Sequence, residues 1–336
     1  MRSLLIPDLL KGPARVERGI FGKNTRIWTP QACRPEEIDD KIWRQADAIL
    51  LWHWIPIRAE VIGKLERCRV IVRMGVGVDS VDLEAAGARG IRVCNVPDYG
   101  TADVADHAMA LFLTLARGIY AFTENVRASN KNWNWQAAGT LHRIAGSVMG
   151  IVGLGPIGTA FAVRAKAFGM RVIFYDPYVG PGQEKALGIE RCRVLDELLE
   201  QADSISIHAP LTPETKGMAN KRFFLKIKKE ALFINTSRGG VMDMDALHHA
   251  LKSGRLRGAG LDVLPTEPPD SRHPLIQAWR RREPWVAHRL VLTPHAAFVS
   301  VEADEELRRK ASLEARRVLD GERPLNCVNE KWFKAR

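Results

Sequence analysis

The residues best suited to chemistry begin with Gly150-Ile-Val-Gly-Leu-Gly-Pro-Ile-Gly158. It is a G-x-G-x-x-G at Gly153, Gly155 and Gly158, placed directly after the apolar run Val148 to Val152. A helical pattern follows from Thr159 to Phe168, and a second apolar run, Arg171 to Tyr175, ends at Asp176. Strand, glycine turn, helix, strand and acid are the parts of a dinucleotide site. The first glycine permits the tight turn, the second lets a diphosphate approach the backbone, and the third lets helix and strand pack closely. The diphosphate then rests on the helix N-terminus, where N–H groups and the helix dipole favour negative charge. Gly153, Gly155, Pro156, Ile157 and Gly158 are its expected contacts. Asp176 is expected to accept hydrogen bonds from the ribose 2′-OH and to repel a 2′-phosphate. Pro177 and Tyr178 come next, with no arginine to welcome that phosphate, so NAD is expected over NADP. The plain alternative makes Asp176 a turn or capping residue.

Three more segments each stand beside the end of an expected strand. They are Asn235-Thr-Ser-Arg-Gly-Gly240, Leu261-Asp-Val-Leu-Pro-Thr-Glu-Pro268 and Thr293-Pro-His-Ala-Ala297. Their residue types suit reduction of a 2-oxo acid, which needs a hydride at the carbonyl carbon and a proton at its oxygen. A nicotinamide gives the first and an imidazole can give the second near neutral pH. A carboxylate beside an imidazole favours the protonated ring, and an arginine fork matches a carboxylate with two parallel hydrogen bonds. Taken singly, each residue has a plain structural reading: Arg238 in a surface ion pair, Glu267 in loop decoration, His295 as a buried structural histidine. His248-His249 shows no third ligand, so no metal site is expected. His107 reads as helix packing.

The elements that must position these residues are legible as alternation. Short apolar runs at Ala48–Trp52, Val70–Val72 and Ile91–Cys94 alternate with helical patterns at Ala59–Glu66 and Leu83–Arg89. Met1 to Pro7 reads as a first strand rather than a signal peptide. A helix is expected over Ala102–Ile119, with Val104, Ala108, Leu111, Leu115 and Ile119 at three- and four-residue steps and Thr101 as N-cap. Residues 130–142 read as polar and irregular. After the glycine turn, strands are expected at Ser204–His208, Ala231–Asn235, Ala259–Val263 and Leu290–Thr293. The helical patterns between them are Asp196–Gln201, Lys221–Lys226 and Asp245–Ser253, and a last helix spans Glu302–Leu319. Such alternation implies parallel, doubly wound sheets, whose ligands bind outside the carboxyl ends of the strands.

Composition narrows the class. The 336 residues can hold two domains, and 46% of them are hydrophobic. There are 50 basic and 39 acidic residues, a net charge of +11. The basic residues are scattered and accompany no nucleic-acid-binding signature, so no nucleic-acid partner is expected. No run reaches membrane-helix length, and no membrane partner is expected. Five dispersed cysteines with no C-x-x-C point to a reducing compartment, and a cytoplasmic location is the default.

The three segments and the glycine turn, in this order, resemble the D-isomer-specific 2-hydroxyacid dehydrogenase family from about Ala46 to about Asn329. Val93-Cys-Asn-Val-Pro97, Arg164-Ala-Lys-Ala-Phe-Gly169, Phe174-Tyr-Asp-Pro-Tyr178 and Asn326-Cys-Val-Asn329 look most like its C-terminal-binding-protein branch. The resemblance implies an α/β protein of two Rossmann-like doubly wound domains with the active site in the cleft between them. Residues 1–100 and 297–336 would form the substrate domain and 101–296 the NAD-binding domain. It implies Arg238 as the grip on the substrate carboxylate and carbonyl, Glu267 as the acid pairing with the catalytic histidine, and His295 as general acid/base. Asp262 would lie near the nicotinamide. Pro210, Thr215, Thr236, Ser237, Arg238 and His295 would join the cofactor contacts. Met74, Gly75, Val76 and Gly77 would form a loop whose N–H groups meet the substrate carboxylate, with Trp52, His53, Trp54 and Phe298 lining the pocket. The expected activity is NAD(H)-dependent interconversion of a 2-oxo acid and a D-2-hydroxy acid by a homodimer. The alternative is an NAD(H)-sensing, corepressor-like binding protein. The stretch from Pro268 to His295 is longer than the family pattern.

Overall fold

The apolar runs of the N-terminal third become strands because β-branched and leucine side chains bury on both faces of a parallel sheet. A computed structural model describes residues 1–8, 10 and 13–333. The chain divides into two compact units, Met1–Gly100 with Ser300–Arg336, and Thr101–Val299.

In the first unit, β1 (Arg2–Leu5), α1 (Arg15–Phe21), β2 (Thr25–Trp28), α2 (Asp40–Gln45) and β3 (Ala48–Leu51) are followed by α3 (Ala59–Lys64), β4 (Val70–Arg73), α4 (Leu83–Ala88) and β5 (Arg92–Cys94). The strands form a parallel sheet in the order β2-β1-β3-β4-β5. The order reverses between β1 and β3, which makes the loops after these two strands the switch point where such sheets take ligands. The chain's last helix, Val301–Leu319, returns to this unit and is capped by Ser300, whose hydroxyl accepts from the Ala303 N–H. Its buried Arg308 meets the buried Glu17 of α1 in a two-pronged ion pair, Nε to Oε1 at 2.9 Å and Nη2 to Oε2 at 2.8 Å.

The second unit opens with α5 (Thr101–Ala116) and α6 (Ile119–Ala128). The expected single helix is therefore broken. Gly118 turns into the left-handed region at φ 63°, where a Cβ would meet that of Ala138. Thr101 is already helical rather than a cap, and residues 130–138 hold two short 3-10 turns. Next come β6 (Val148–Val152), α7 (Pro156–Ala167), β7 (Arg171–Tyr175), α8 (Gln183–Leu187), β8 (Glu190–Arg191), α9 (Leu195–Gln201) and β9 (Ser204–Ile207). The unit ends with α10 (Lys221–Lys226), β10 (Ala231–Asn235), α11 (Met244–Lys252), β11 (Leu256–Leu261), α12 (Pro274–Arg280) and β12 (Leu290–Leu292). The sheet is parallel throughout, ordered β12-β11-β10-β9-β6-β7-β8, and switches between β6 and β9. Gly258 and Gly260 of β11 let α5 lie close: a Cβ at Gly260 would stand 2.9 Å from that of Leu111. The long stretch after Pro268 contains α12, capped by His273 with Pro274 at its first turn. It is docked by the Trp279 indole N–H, which donates to the Leu290 carbonyl, and by the Arg282–Glu124 ion pair.

Among the described residues, no helix is long and apolar enough to cross a membrane. No group of three His, Cys, Asp or Glu among them could hold a metal ion.

Candidate active site

The glycine turn lies at the switch point of the second sheet. Gly153 has φ 92°, and a Cβ there would stand 2.7 Å from the Ala209 nitrogen at the end of β9. A Cβ at Gly158 would reach within 2.1 Å of the Gly153 carbonyl oxygen, so only glycine lets α7 start this close to β6. Gly155, the N-cap of α7, has open space where its Cβ would be, and Pro156 follows as the first helical residue. An open backbone facing a helix N-terminus fits a diphosphate. Asp176 stands at the end of β7. Its Oδ2 accepts from the Leu154 N–H at 2.8 Å and its Oδ1 from the Tyr178 N–H at 2.9 Å. It thus organises the turn, and each oxygen keeps acceptor capacity for a ribose hydroxyl. The Thr215 hydroxyl donates to the Pro210 carbonyl, closing the loop after β9. The Thr236 hydroxyl is buried without a hydrogen-bond partner among the described residues, as a group awaiting a bound molecule would be. These features together fit NAD.

The loops after β10, β11 and β12 carry the candidate residues Arg238, Glu267 and His295. Buried Asn235 shapes the first of them: its Oδ1 accepts from the Ser237 N–H and hydroxyl, and its Nδ2 donates to the Arg238 carbonyl. Arg238 Nη1 donates to the Ser237 carbonyl at 2.9 Å. A Cβ on the adjacent Gly239 would fall 1.9 Å from the Leu264 carbonyl carbon, so glycine is what lets this loop run beside the next one. In that next loop Glu267 Oε1 accepts from the Leu264 N–H at 2.9 Å, which aims Oε2 at His295 Nδ1, 2.8 Å away. The His295 side chain is about one-fifth exposed and its ring meets Phe298 edge-on at 6.4 Å.

His295 itself has φ 53°, a left-handed conformation rare for a histidine. The backbone around it is held by Asp262, which is 1% exposed. The Asp262 carbonyl accepts from the His295 N–H at 2.8 Å. Its Oδ1 accepts from the Ala296 N–H and its Oδ2 from the Ala297 N–H, at 2.8 and 2.9 Å. The Thr293 hydroxyl also donates to Oδ1, at 2.6 Å. His107 is more than helix packing: its Nε2 lies 2.9 Å from the Thr293 hydroxyl and 3.6 Å from Asp262 Oδ1.

In the first unit, the loop after β3 sits at that sheet's own switch point. Trp52 is buried there, whereas Trp54 is half-exposed and its indole N–H donates to His53 Nε2 at 3.0 Å. Sequence reasoning missed the residue that holds this loop. Asp8, fully buried just after β1, accepts from the N–H groups of Trp52 and Trp54 at 2.9 Å and of Ile55 at 3.4 Å. Burial pushes the Asp8 carboxyl above the usual range, against the pull of those N–H donors. Met74 is buried in the same unit. Gly75, at φ 140°, has no room for a side chain because the Arg73 guanidinium fills it. The Gly75 and Val76 carbonyls accept from the Val96 N–H and the Asn95 side chain, which fixes the loop from below.

The family model for the NAD-binding domain of D-isomer-specific 2-hydroxyacid dehydrogenases matches residues 109–297, the stretch that carries this glycine turn and the loops of Arg238, Glu267 and His295. C-terminal-binding protein 1 of Caenorhabditis elegans is 34% identical over 305 residues, 88% of this chain and 41% of that protein. D-3-phosphoglycerate dehydrogenase of Methanocaldococcus jannaschii is 36% identical over 294 residues, 88% of this chain and 53% of that one. The chain thus spans about half the length of these curated relatives. D-lactate dehydrogenase of Aquifex aeolicus, solved with NAD and lactic acid, superposes with a TM-score of 0.83 at 26% identity, over 95% of this chain and 96% of that one.

Proposed function

The chain belongs to the D-isomer-specific 2-hydroxyacid dehydrogenase family, and on that premise we propose that it interconverts a 2-oxo acid and a D-2-hydroxy acid with NAD(H). The observation that carries this reading is the 2.8 Å contact between His295 Nδ1 and Glu267 Oε2. A carboxylate only accepts, so Nδ1 keeps its proton and Nε2 becomes the atom that exchanges a proton with substrate. NAD(H), when bound, supplies or takes up the hydride at the substrate's second carbon. The Arg238 fork engages the substrate carboxylate and carbonyl oxygen and fixes which carbon faces the cofactor. In reduction His295 hands its Nε2 proton to the carbonyl oxygen, and Glu267 stabilises the charged ring beforehand. Oxidation runs the same transfer backwards, with neutral Nε2 taking the hydroxyl proton.

The glycine turn makes the second unit the cofactor domain in this reading, and the first unit, Met1–Gly100 with Ser300–Arg336, the substrate domain. His53 and Trp54, at the first sheet's switch point, are its specificity residues, and the Gly75–Gly77 loop is its carboxylate-binding element. Half-exposed Trp54 favours an apolar or bulky substrate tail. A cytoplasmic homodimer acting on small acids completes the proposal.

The test follows NADH consumption with glyoxylate, hydroxypyruvate, phenylpyruvate and a branched 2-oxo acid. Turnover of at least one acid is expected, cut by about 10³-fold in His295→Ala and less in Glu267→Gln. Equal rates in the wild type and His295→Ala would refute the assignment. The match to C-terminal-binding protein 1 favours one second reading, an NAD(H)-sensing binding protein. Tight NADH binding with no turnover of any acid would favour it.

A further inference from the structure

We propose that His107 is a positioning residue for the catalytic loop, acting through Thr293 and Asp262 on the backbone that carries His295. This rests on the proposed role of His295 and goes beyond it, because His107 touches neither substrate nor the reacting atoms in that scheme.

Hydrogen-bond direction fixes the order of the contacts. The Asp262 carboxylate can only accept, so the 2.6 Å contact commits the Thr293 hydroxyl proton to Asp262 Oδ1. Thr293 Oγ1 is left with lone pairs alone to offer His107, 2.9 Å away. His107 Nε2 must therefore carry a hydrogen. The resulting relay is one-way. His107 Nε2–H donates to the Thr293 hydroxyl, the hydroxyl donates to Asp262, and Asp262 receives the Ala296 and Ala297 N–H groups. Those two N–H groups immediately follow His295, whose φ of 53° is held only by its surroundings.

The fold is built to bring His107 to this place. It lies one helical turn before Leu111 on α5, and Leu111 packs on Gly260, which is two residues before Asp262. A side chain on Gly260 would push α5 away and lift His107 from the relay. The His107 ring stands 3.6 Å from the buried Asp262 carboxylate, close enough to share in setting its direction. By holding Thr293, that ring keeps both carboxylate oxygens aimed at the loop.

The experiment compares His107→Leu, His107→Gln and Thr293→Val in the full-length protein, with His295→Ala alongside. It reads kcat, KM for glyoxylate and the Kd of NADH by fluorescence. His107→Leu is expected to lower kcat about tenfold, the scale of one hydrogen bond to a charged network, with NADH affinity within about twofold. His107→Gln keeps an N–H donor at the same reach and should recover most of that loss. The double variant that combines His107→Leu with Thr293→Val should be no slower than the worse single one, because both break one relay. A His107→Leu enzyme with unchanged kcat, or a His107→Gln enzyme as slow as His107→Leu, overturns the proposal. Additive losses in the double variant do the same. If His295→Ala keeps full turnover, the proposed function fails and this inference with it. A dead His295→Ala beside an unaffected His107→Leu sinks this inference alone. Should His107→Leu not fold, Thr293→Val and His107→Gln still decide the matter.

Discussion

His208 directly follows β9 beside the glycine turn, its ring packed on Phe161 at 5.0 Å and its Nε2 hydrogen-bonded to the Ser206 hydroxyl. Burial pushes its pKa from 6.5 down to about 3. Between these values the unfolded chain binds a proton that the folded protein refuses. Stability must therefore fall as the pH drops through this window, and it levels off below about 3. Each pH unit is worth about 1.4 kcal/mol, so the loss at pH 5 is about 2 kcal/mol. Urea unfolding of wild type and His208→Gln at pH 7 and pH 5 checks this. The wild type should lose about 2 kcal/mol more than the variant over that interval, and parallel losses would remove His208 as the cause. Single residues also differ in what they reveal in sequence. His295, Glu267 and Arg238 stand out as candidates because each sits in a short, ordered motif. Asp8 and His107 are not, since their partners lie 44 and 186 residues away and a lone acid or a helical histidine carries no local mark.

The β6–α7 unit is legible because Gly153 and Gly158 are required by close backbone contact and Gly155 stands in open space at the helix start. Gly158→Ala would set a Cβ 2.1 Å from the Gly153 carbonyl oxygen, and the rigid backbone there cannot yield without tilting α7 off its strand. A tilt of the helix N-terminus costs the diphosphate its N–H groups. NADH affinity should drop by about tenfold or more in a titration, the scale of one lost charge-assisted hydrogen bond, with the far-ultraviolet circular dichroism kept. Unaltered affinity would show that the turn does not bind the cofactor. Other elements are hidden for physical reasons. The apolar period of α5 continues past Gly118 into α6, so the break depends on one residue's left-handed backbone. β2 is four residues long and buries only Thr25, too little alternation to stand out. In α12 the signal is present, since Pro274 opens the helix behind the capping His273, but neighbouring arginines and the length of the insertion obscure it. The central strands are legible, because a strand covered on both faces reads as an uninterrupted apolar run, whereas the two charged residues of β8 carry no such signal.

Assembly is where the whole molecule's surface enters. Trp133 and Trp135, on the 3-10 segment that follows α6, are 83% and 81% exposed. An indole offers roughly 200 Å² for burial, and two so close on one segment are costly to leave in water unless a partner covers them. A charge of +11 opposes self-association, over a range set by the Debye length, roughly 8 Å at physiological salt. The opposition therefore weakens in ordinary buffer, while the apolar contribution does not. The proposed homodimer should accordingly persist in moderate salt, with a sedimentation mass twice the 37.6 kDa of the chain. Replacing both indoles, Trp133→Ala with Trp135→Ala, should shift the mass toward one chain at low micromolar concentration and leave NADH affinity intact. A wild type that sediments as one chain at every concentration would count against the dimer. A double variant that stays dimeric would show that the two indoles do not form the interface.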